Sequence, residues 1–222
     1  MRLLNQFLGN DVTILISGGV VYNGMLIDIG SELVVIYNGE DYVYIPFQHI
    51  QNVSLNLDPD EDIEKPENTP FEGSEEISLR KILNSAKGTF VEIHVIKNRA
   101  IHGYITSILN DYFVFYSPVF KTMFISLNHL KALIPYNPNQ TPYALNEQRL
   151  PVKPTQITLA RSFEEQLKKR VGKIVVFDLG ESTSKIGKFE QIEDKMIELV
   201  TARDKSKILN FRHIKTVHFP IE

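Results

Sequence analysis

Three of the six histidines in this 222-residue chain recur in one local setting. His49 lies in PFQHI (46–50), His129 in SLNHL (126–130) and His213 in NFRHI (210–214), each between a polar residue and Ile or Leu. Imidazole can ligate a metal, move a proton or hydrogen-bond the backbone. A metal centre needs these side chains to converge and an acceptor to orient each ring. No carboxylate stands at a constant offset from the three, and HxxxH and HExxH spacings are absent. The expectation is a backbone-bonding histidine where the chain turns into a last strand, with no metal.

The chain has no cysteine, which excludes disulfides, thiolate metal sites and Cys nucleophiles. It contains no nucleophile elbow and no phosphate loop. Catalytic side chains are not expected, nor a cofactor or a small-molecule substrate; the chain reads as a non-enzyme. No apolar run approaches the roughly 18 residues of a membrane span, and MRLLNQFLGNDV lacks the apolar core and cleavage site of a signal peptide.

The histidines belong to a larger repetition. Gly9, Gly88 and Gly172 each follow an apolar stretch, and Gly24, Gly103 and Gly187 each stand 15 residues further on. His49, His129 and His213 lie 25, 26 and 26 residues beyond those. Apolar positions agree in phase: Val12, Ile14 and Ile16 match Val91, Ile93 and Val95, then Val175, Phe177 and Leu179. The chain is therefore read as three copies of one unit of about 55 residues. Period-two alternation makes each copy β. A glycine inside the second strand signals a bend or a close backbone approach. Asp28, Ser107 and Gln191 occupy one repeated position and share no chemistry, as expected of a non-enzyme.

A short helix precedes each copy. In SFEEQLKKRVG, Ser162 reads as an N-cap with Glu165 completing a capping box; Phe163, Leu167 and Val171 share a face, and Gly172 reads as a C-cap. The expected layout is copy 1 over 1–56, an acidic Pro-containing linker over 57–78, copy 2 over 79–136, a Pro-rich linker over 137–160 and copy 3 over 161–222. The first linker carries nine acids and one lysine and reads as a mobile tether; the second carries four prolines and reads as extended. Charge is uneven: copy 1 is acidic, while 161–218 carries thirteen bases against nine acids. A helix followed by five bent strands is the plan of a small barrel, marginal alone at this size.

This pattern resembles the Sm-like (SH3-like) barrel: FLGNDVTILISGGVVYNGMLIDIG (7–30) looks like the first half of an Sm motif. The closer resemblance is to the spore coat protein B family of Bacillus and its relatives, carried by GESTSKIGK (180–188) and RHIKTV (212–217) and extending over all three copies. It implies a mainly β chain of three tandem five-stranded Sm-like barrels, each preceded by a short helix. It also implies a structural role in the spore coat after synthesis in the mother-cell cytoplasm, with other coat proteins as partners. Members of that family can carry a Ser- and Lys-rich tail, and a function residing in such a tail is not implied for this sequence.

Sm proteins that bind uridine place an Asn between strands two and three. The matching positions are Glu32, Asp111 and Lys195, preceded by Ser31, Asn110 and Asp194. Two acids there repel phosphate, which argues against nucleic acid. Lys185, Lys188, Lys195, Lys205 and Lys207 form the one candidate polyanion face, and an Sm-like nucleic-acid-binding protein is the alternative reading. All nine tyrosines lie outside copy 3. Half-buried strand positions account for them, or else assembly contacts. Sm-like barrels pair the fourth strand of one with the fifth of the next, so the expected self-association is head-to-tail, as a ring of two chains or a layer.

Overall fold

A computed structural model describes residues 2–57, 63–64, 66, 77–97, 99–137, 140, 142–144 and 157–220. The chain is mainly β, with fifteen antiparallel strands and few short helices among the described residues. Strands fall in three sets of five, and closure of a set into a barrel is not among the pairings. The two linkers expected from the sequence lie mostly outside the described residues.

Two compact units divide the chain: Met1–His102 with Leu130–Asn146, and Gly103–His129 with Glu147–Glu222. The first holds α1 (Arg2–Asn5), β1 (Asp11–Ile16), β2 (Val20–Ile29), β3 (Leu33–Tyr37), β4 (Tyr42–Pro46), β5 (Ile50–Leu55), α2 (Leu79–Ser85), β6 (Phe90–Ile96) and β10 (Ala132–Pro135). Its strands run in the order β6-β10-β4-β3-β2-β1-β5. The second holds most of β7 (Arg99–Ile108), then β8 (Tyr112–Ser117), β9 (Lys121–Ser126), α3 (Phe163–Lys168), β11 (Ile174–Phe177), β12 (Ile186–Glu193), β13 (Met196–Val200), β14 (Ser206–Asn210) and β15 (Thr216–His218). Its order is β14-β13-β12-β11-β15-β9-β8-β7.

Alternation builds each core. Val12, Ile14 and Ile16 point inward from β1 and pack with Leu26, Val34, Ile36, Val43 and Ile45. Phe163, Val175, Phe177, Phe189, Ile197 and Leu199 do the same in the second unit, joined by Tyr112 and Phe124. Each second strand carries a register shift two residues after its glycine: between Leu26 and Asp28, Ile105 and Ser107, and Phe189 and Gln191. Such bulges bend and twist a strand. The glycine is required because the third strand crosses it closely: a Cβ at Gly24, Gly103 or Gly187 would lie 2.5, 2.1 or 2.3 Å from the carbonyl oxygen of Tyr37, Tyr116 or Val200. Gly9, Gly88 and Gly172, by contrast, sit at φ +79, +82 and +84°, where the chain enters the first strand.

Ser162 caps α3, its Oγ accepting from the Glu165 N–H at 3.4 Å. The rest of the expected capping departs from the sequence reading. The Glu165 carboxylate turns to Lys168 Nζ at 2.9 Å rather than completing a box. The helix ends at Lys168 with Lys169 as C-cap, so Gly172 lies beyond it, and Val171, past the last turn, is 46 % exposed instead of sharing the buried face of Phe163 and Leu167.

Candidate assembly interface

The histidines define the first part of the site. Each closes a 3-10 turn, Phe47–His49, Leu127–His129 or Phe211–His213, immediately after the fourth strand of its set. His49 is buried; its carbonyl accepts from the Ser17 N–H at 2.8 Å and its Nδ1 lies 3.1 Å from Ser17 Oγ. His129 Nε2 donates to the Arg212 carbonyl at 2.9 Å, one residue before His213. Burial lowers the His129 pKa against the opposing pull of that bond, which favours the neutral ring. His213 is exposed. Among the described residues no group of three His, Asp or Glu is arranged to hold a metal ion.

Each of these turns is anchored to the loop between the second and third strands. The N–H groups of Phe47, Leu127 and Phe211 donate to the carbonyls of Glu32, Asp111 and Lys195 at 2.8, 2.9 and 2.8 Å. These are the positions where a uridine-binding Asn would stand. Their side chains face another task. Glu32 Oε2 accepts the N–H of Leu79, first residue of α2, at 3.2 Å, and Asp111 Oδ1 accepts that of Phe163, first residue of α3, at 2.8 Å. Helix N-termini carry unpaired N–H donors and partial positive charge, so a carboxylate is the fitting partner. Neighbouring bonds repeat as well: Ser31 N–H to the Ile77 carbonyl at 2.9 Å and Asn110 N–H to that of Arg161 at 3.1 Å. Thus one residue holds its own copy's corner by its backbone and the next copy's helix by its side chain.

The second clasp is reinforced by aromatics. Tyr112 stacks on Phe163 at 5.6 Å between centroids and donates its hydroxyl to the Ala160 carbonyl at 2.7 Å. Burial first, and the Asp111 charge second, push the Tyr112 phenol up to about 12.

Strand pairing forms the third part. In the first unit β10 pairs with β4, Leu133 standing opposite Tyr44. In the second β15 pairs with β9, Val217 opposite Phe124. These are equivalent contacts: the last strand of one set on the fourth strand of the set before it. All four residues are buried, and Tyr44 and Phe124 are only 2 % and 0 % exposed. One of the nine tyrosines therefore lies directly in such a contact, while Tyr112 lies in the clasp.

The candidate polyanion face does not assemble as five free lysines. Lys185 is folded inward, 2.5 Å from the fully buried Asp178 and 3.2 Å from Glu181. Burial pulls its pKa down, but the two carboxylates outweigh that and the net shift is upward. Asp178 also accepts the N–H groups of Lys215 and Thr216, at 2.7 and 3.1 Å. Lys188 pairs with Glu190 at 2.7 Å, and Lys195 pairs with Glu164 while lying over the Phe211 ring. What remains is a groove of about 590 Å³ at the β13–β14 turn, in which Lys205 and Lys207 join Arg203, Thr183 and Ser184.

A family profile described as the YwrJ third domain matches residues 162–217, from the N-cap of α3 into β15. The uncharacterized protein YwrJ of Bacillus subtilis (strain 168) is 43 % identical over 231 residues, covering 99 % of this chain and 100 % of that protein. Identity at that level over the whole of both sequences places all three sets of strands, and not the third alone, within one lineage: the chain belongs to the YwrJ family.

Proposed function

We propose that this chain is a non-enzymatic scaffold of the bacterial spore coat that acts through strand-edge protein–protein contacts. In this reading each set of five strands curls as a small Sm-like barrel. The order β5-β1-β2-β3-β4 in the first set and β15-β11-β12-β13-β14 in the third, with a bulged second strand in each, supports that curl. The observation that carries the function is the repeated edge contact, β4 with β10 and β9 with β15. A chain built twice on that contact uses strand edges as its means of association. The spore coat enters through the resemblance to the coat protein B family, and other coat proteins are the partners it implies.

The test is fractionation of spores carrying a tagged chain. Recovery with the coat layers supports the reading, and recovery in the core or mother-cell fraction alone refutes it. A second reading, a nucleic-acid-binding protein, draws on the groove with Arg203, Lys205 and Lys207. Retention of mixed RNA on filters at moderate salt would favour it; the acids at 32 and 111 speak against it, since both are engaged with helix N-termini.

A further inference from the structure

The third set of strands uses more chain in one hairpin than its siblings do. Its first strand ends at Phe177 and its second begins at Ile186, whereas β1 and β2 are separated only by residues 17–19, and β6 ends at Ile96 with β7 beginning at Arg99. The longer loop opens on unusual backbone. Asp178, Leu179 and Gly180 follow one another in the left-handed region, at φ +48, +55 and +68°. Such backbone persists only where its surroundings fix it, and it gathers at ligand clamps. Here a fully buried carboxylate fixes it: Asp178 accepts the N–H groups of Lys215 and Thr216 and holds Lys185 Nζ at 2.5 Å. Residues 181–184 take part in neither strand contact of the scaffold.

What the loop does form is one wall of the groove described above, through Thr183 and Ser184. The far wall is the turn between β13 and β14, closed by the Thr201 N–H on the Lys205 carbonyl at 3.0 Å and the Asp204 N–H on the Thr201 carbonyl at 2.9 Å. Lys205 and Lys207 stand two apart and so face the same way, while Ser206 between them turns to Glu198 at 2.7 Å. Ile186, 41 % exposed, and Ala202 add apolar surface. A volume of about 590 Å³ falls inside the range of about 300–1,000 Å³ typical of small-molecule sites.

The charge of the groove is uncompensated. Arg203, Lys205 and Lys207 are exposed and enter no ion pair among the described residues. Asp204, in the same turn at φ +55°, does not line the groove; counted with the three cations it leaves a net charge of two. Beyond the groove, Lys185, Lys188 and Lys195 are already paired with acids. An extended polyanion therefore finds no continuing track, whereas a compact one meets cations, hydroxyls and apolar surface together.

We propose that this groove binds a small organic dianion, a phosphate monoester or a dicarboxylate, with its charge on Arg203, Lys205 and Lys207 and its carbon skeleton on Ile186 and Ala202. Guanidinium and ammonium donors make strong charge-assisted hydrogen bonds to either headgroup. The site is independent of the scaffold reading and competes with the nucleic-acid one.

The test is calorimetric titration of the full chain at low salt with phenyl phosphate, with succinate, and with benzoate as the singly charged control. The expected result is one saturable site per chain for a dianion, and the tighter of the two dianions names the headgroup. Benzoate is expected to bind about tenfold more weakly, since it offers half the charge. Arg203→Gln and Lys207→Gln are each expected to weaken the dianion about tenfold, while Lys188→Gln, outside the groove, leaves it within about twofold. Unliganded thermal midpoints equal to that of the parent show that these exposed positions leave the fold intact. No saturable site for either dianion, benzoate binding as tightly, or equal weakening by Lys188→Gln overturns the proposal. So does mixed single-stranded RNA that binds, resists displacement by both dianions and is weakened as much by Lys188→Gln as by Lys207→Gln; that outcome favours the nucleic-acid reading instead.

Discussion

The Asp111 carboxylate accepts the backbone N–H of Phe163 at 2.8 Å, tying a loop of the second set of strands to the first helical residue before the third. A charged acceptor on an otherwise unpaired N–H is worth more than a neutral one. Asp111→Ala is expected to cost about 1–2 kcal/mol, read as a lower urea midpoint at unchanged slope. Asp111→Asn keeps an acceptor and is expected to lose clearly less. Equal losses would show that the carboxylate acts otherwise.

Two kinds of glycine are expected to differ in their tolerance of a methyl group. At Gly103 a Cβ meets the Tyr116 carbonyl oxygen at 2.1 Å, and backbone cannot move aside cheaply. Gly103→Ala is expected to cost about 2–3 kcal/mol or to prevent folding. Gly9 has φ +79° but open space around it, so Gly9→Ala carries only the left-handed penalty of about 1–2 kcal/mol. Chemical denaturation of the two variants checks the order.

The internal and open edges are expected to respond oppositely to one substitution. Tyr44→Lys puts an ammonium where the side chain is 2 % exposed and is expected to cost more than about 2 kcal/mol. Ile208→Lys at the equivalent place is 61 % exposed and is expected to change stability by no more than about 0.5 kcal/mol in dilute solution. Thermal melts of both variants, at a concentration where the chain is monomeric, read the difference.

Stability is expected to fall as pH drops below neutrality. Burial lowers the folded pKa values of His129 and His218 below the ordinary value near 6.5. A depressed folded pKa means that the unfolded chain binds the proton first, so the stabilisation is complete above about 6.5 and is lost as pH falls toward the folded value. Glu92 adds a second, more acidic phase. The hydrogen bond from His94, at 2.5 Å, holds its carboxyl below the usual range against the opposing effect of burial. Its contribution is present above the unfolded carboxylate pKa and is lost as pH falls through the folded one. Urea midpoints measured across pH 7 to 3 check both phases, and His129→Gln should flatten the first.

Much of the strand plan could be read from the chain because it rests on local periodicity: the alternation Val12-Ile14-Ile16 and the glycines at 24, 103 and 187 are visible without coordinates. The pairing of Lys185 with Asp178 could not be read from the chain, because the burial of Asp178 depends on the whole third set. The exposure of Val171 is hidden for a simpler reason: α3 ends at Lys168, and periodicity does not reveal where a helix ends. The helix clasp does leave a signal in the sequence. Positions 32 and 111 are acids in the first two copies, each accepting from the N–H of a helix further along the chain, and position 195 is a lysine in the third. An acid at these positions repels phosphate and equally suits the N–H groups at the start of a helix, and the chain alone does not choose between the two.

Each clasp and each strand contact has its receiving half earlier in the sequence than its inserted half: Glu32 before Leu79, β4 before β10, Asp111 before Phe163, β9 before β15. Synthesis from the N-terminus therefore completes every socket before its guest emerges from the ribosome. The chain can fold by successive addition to a surface already formed, and exchanging the order of two copies would break this sequence of events while keeping every residue.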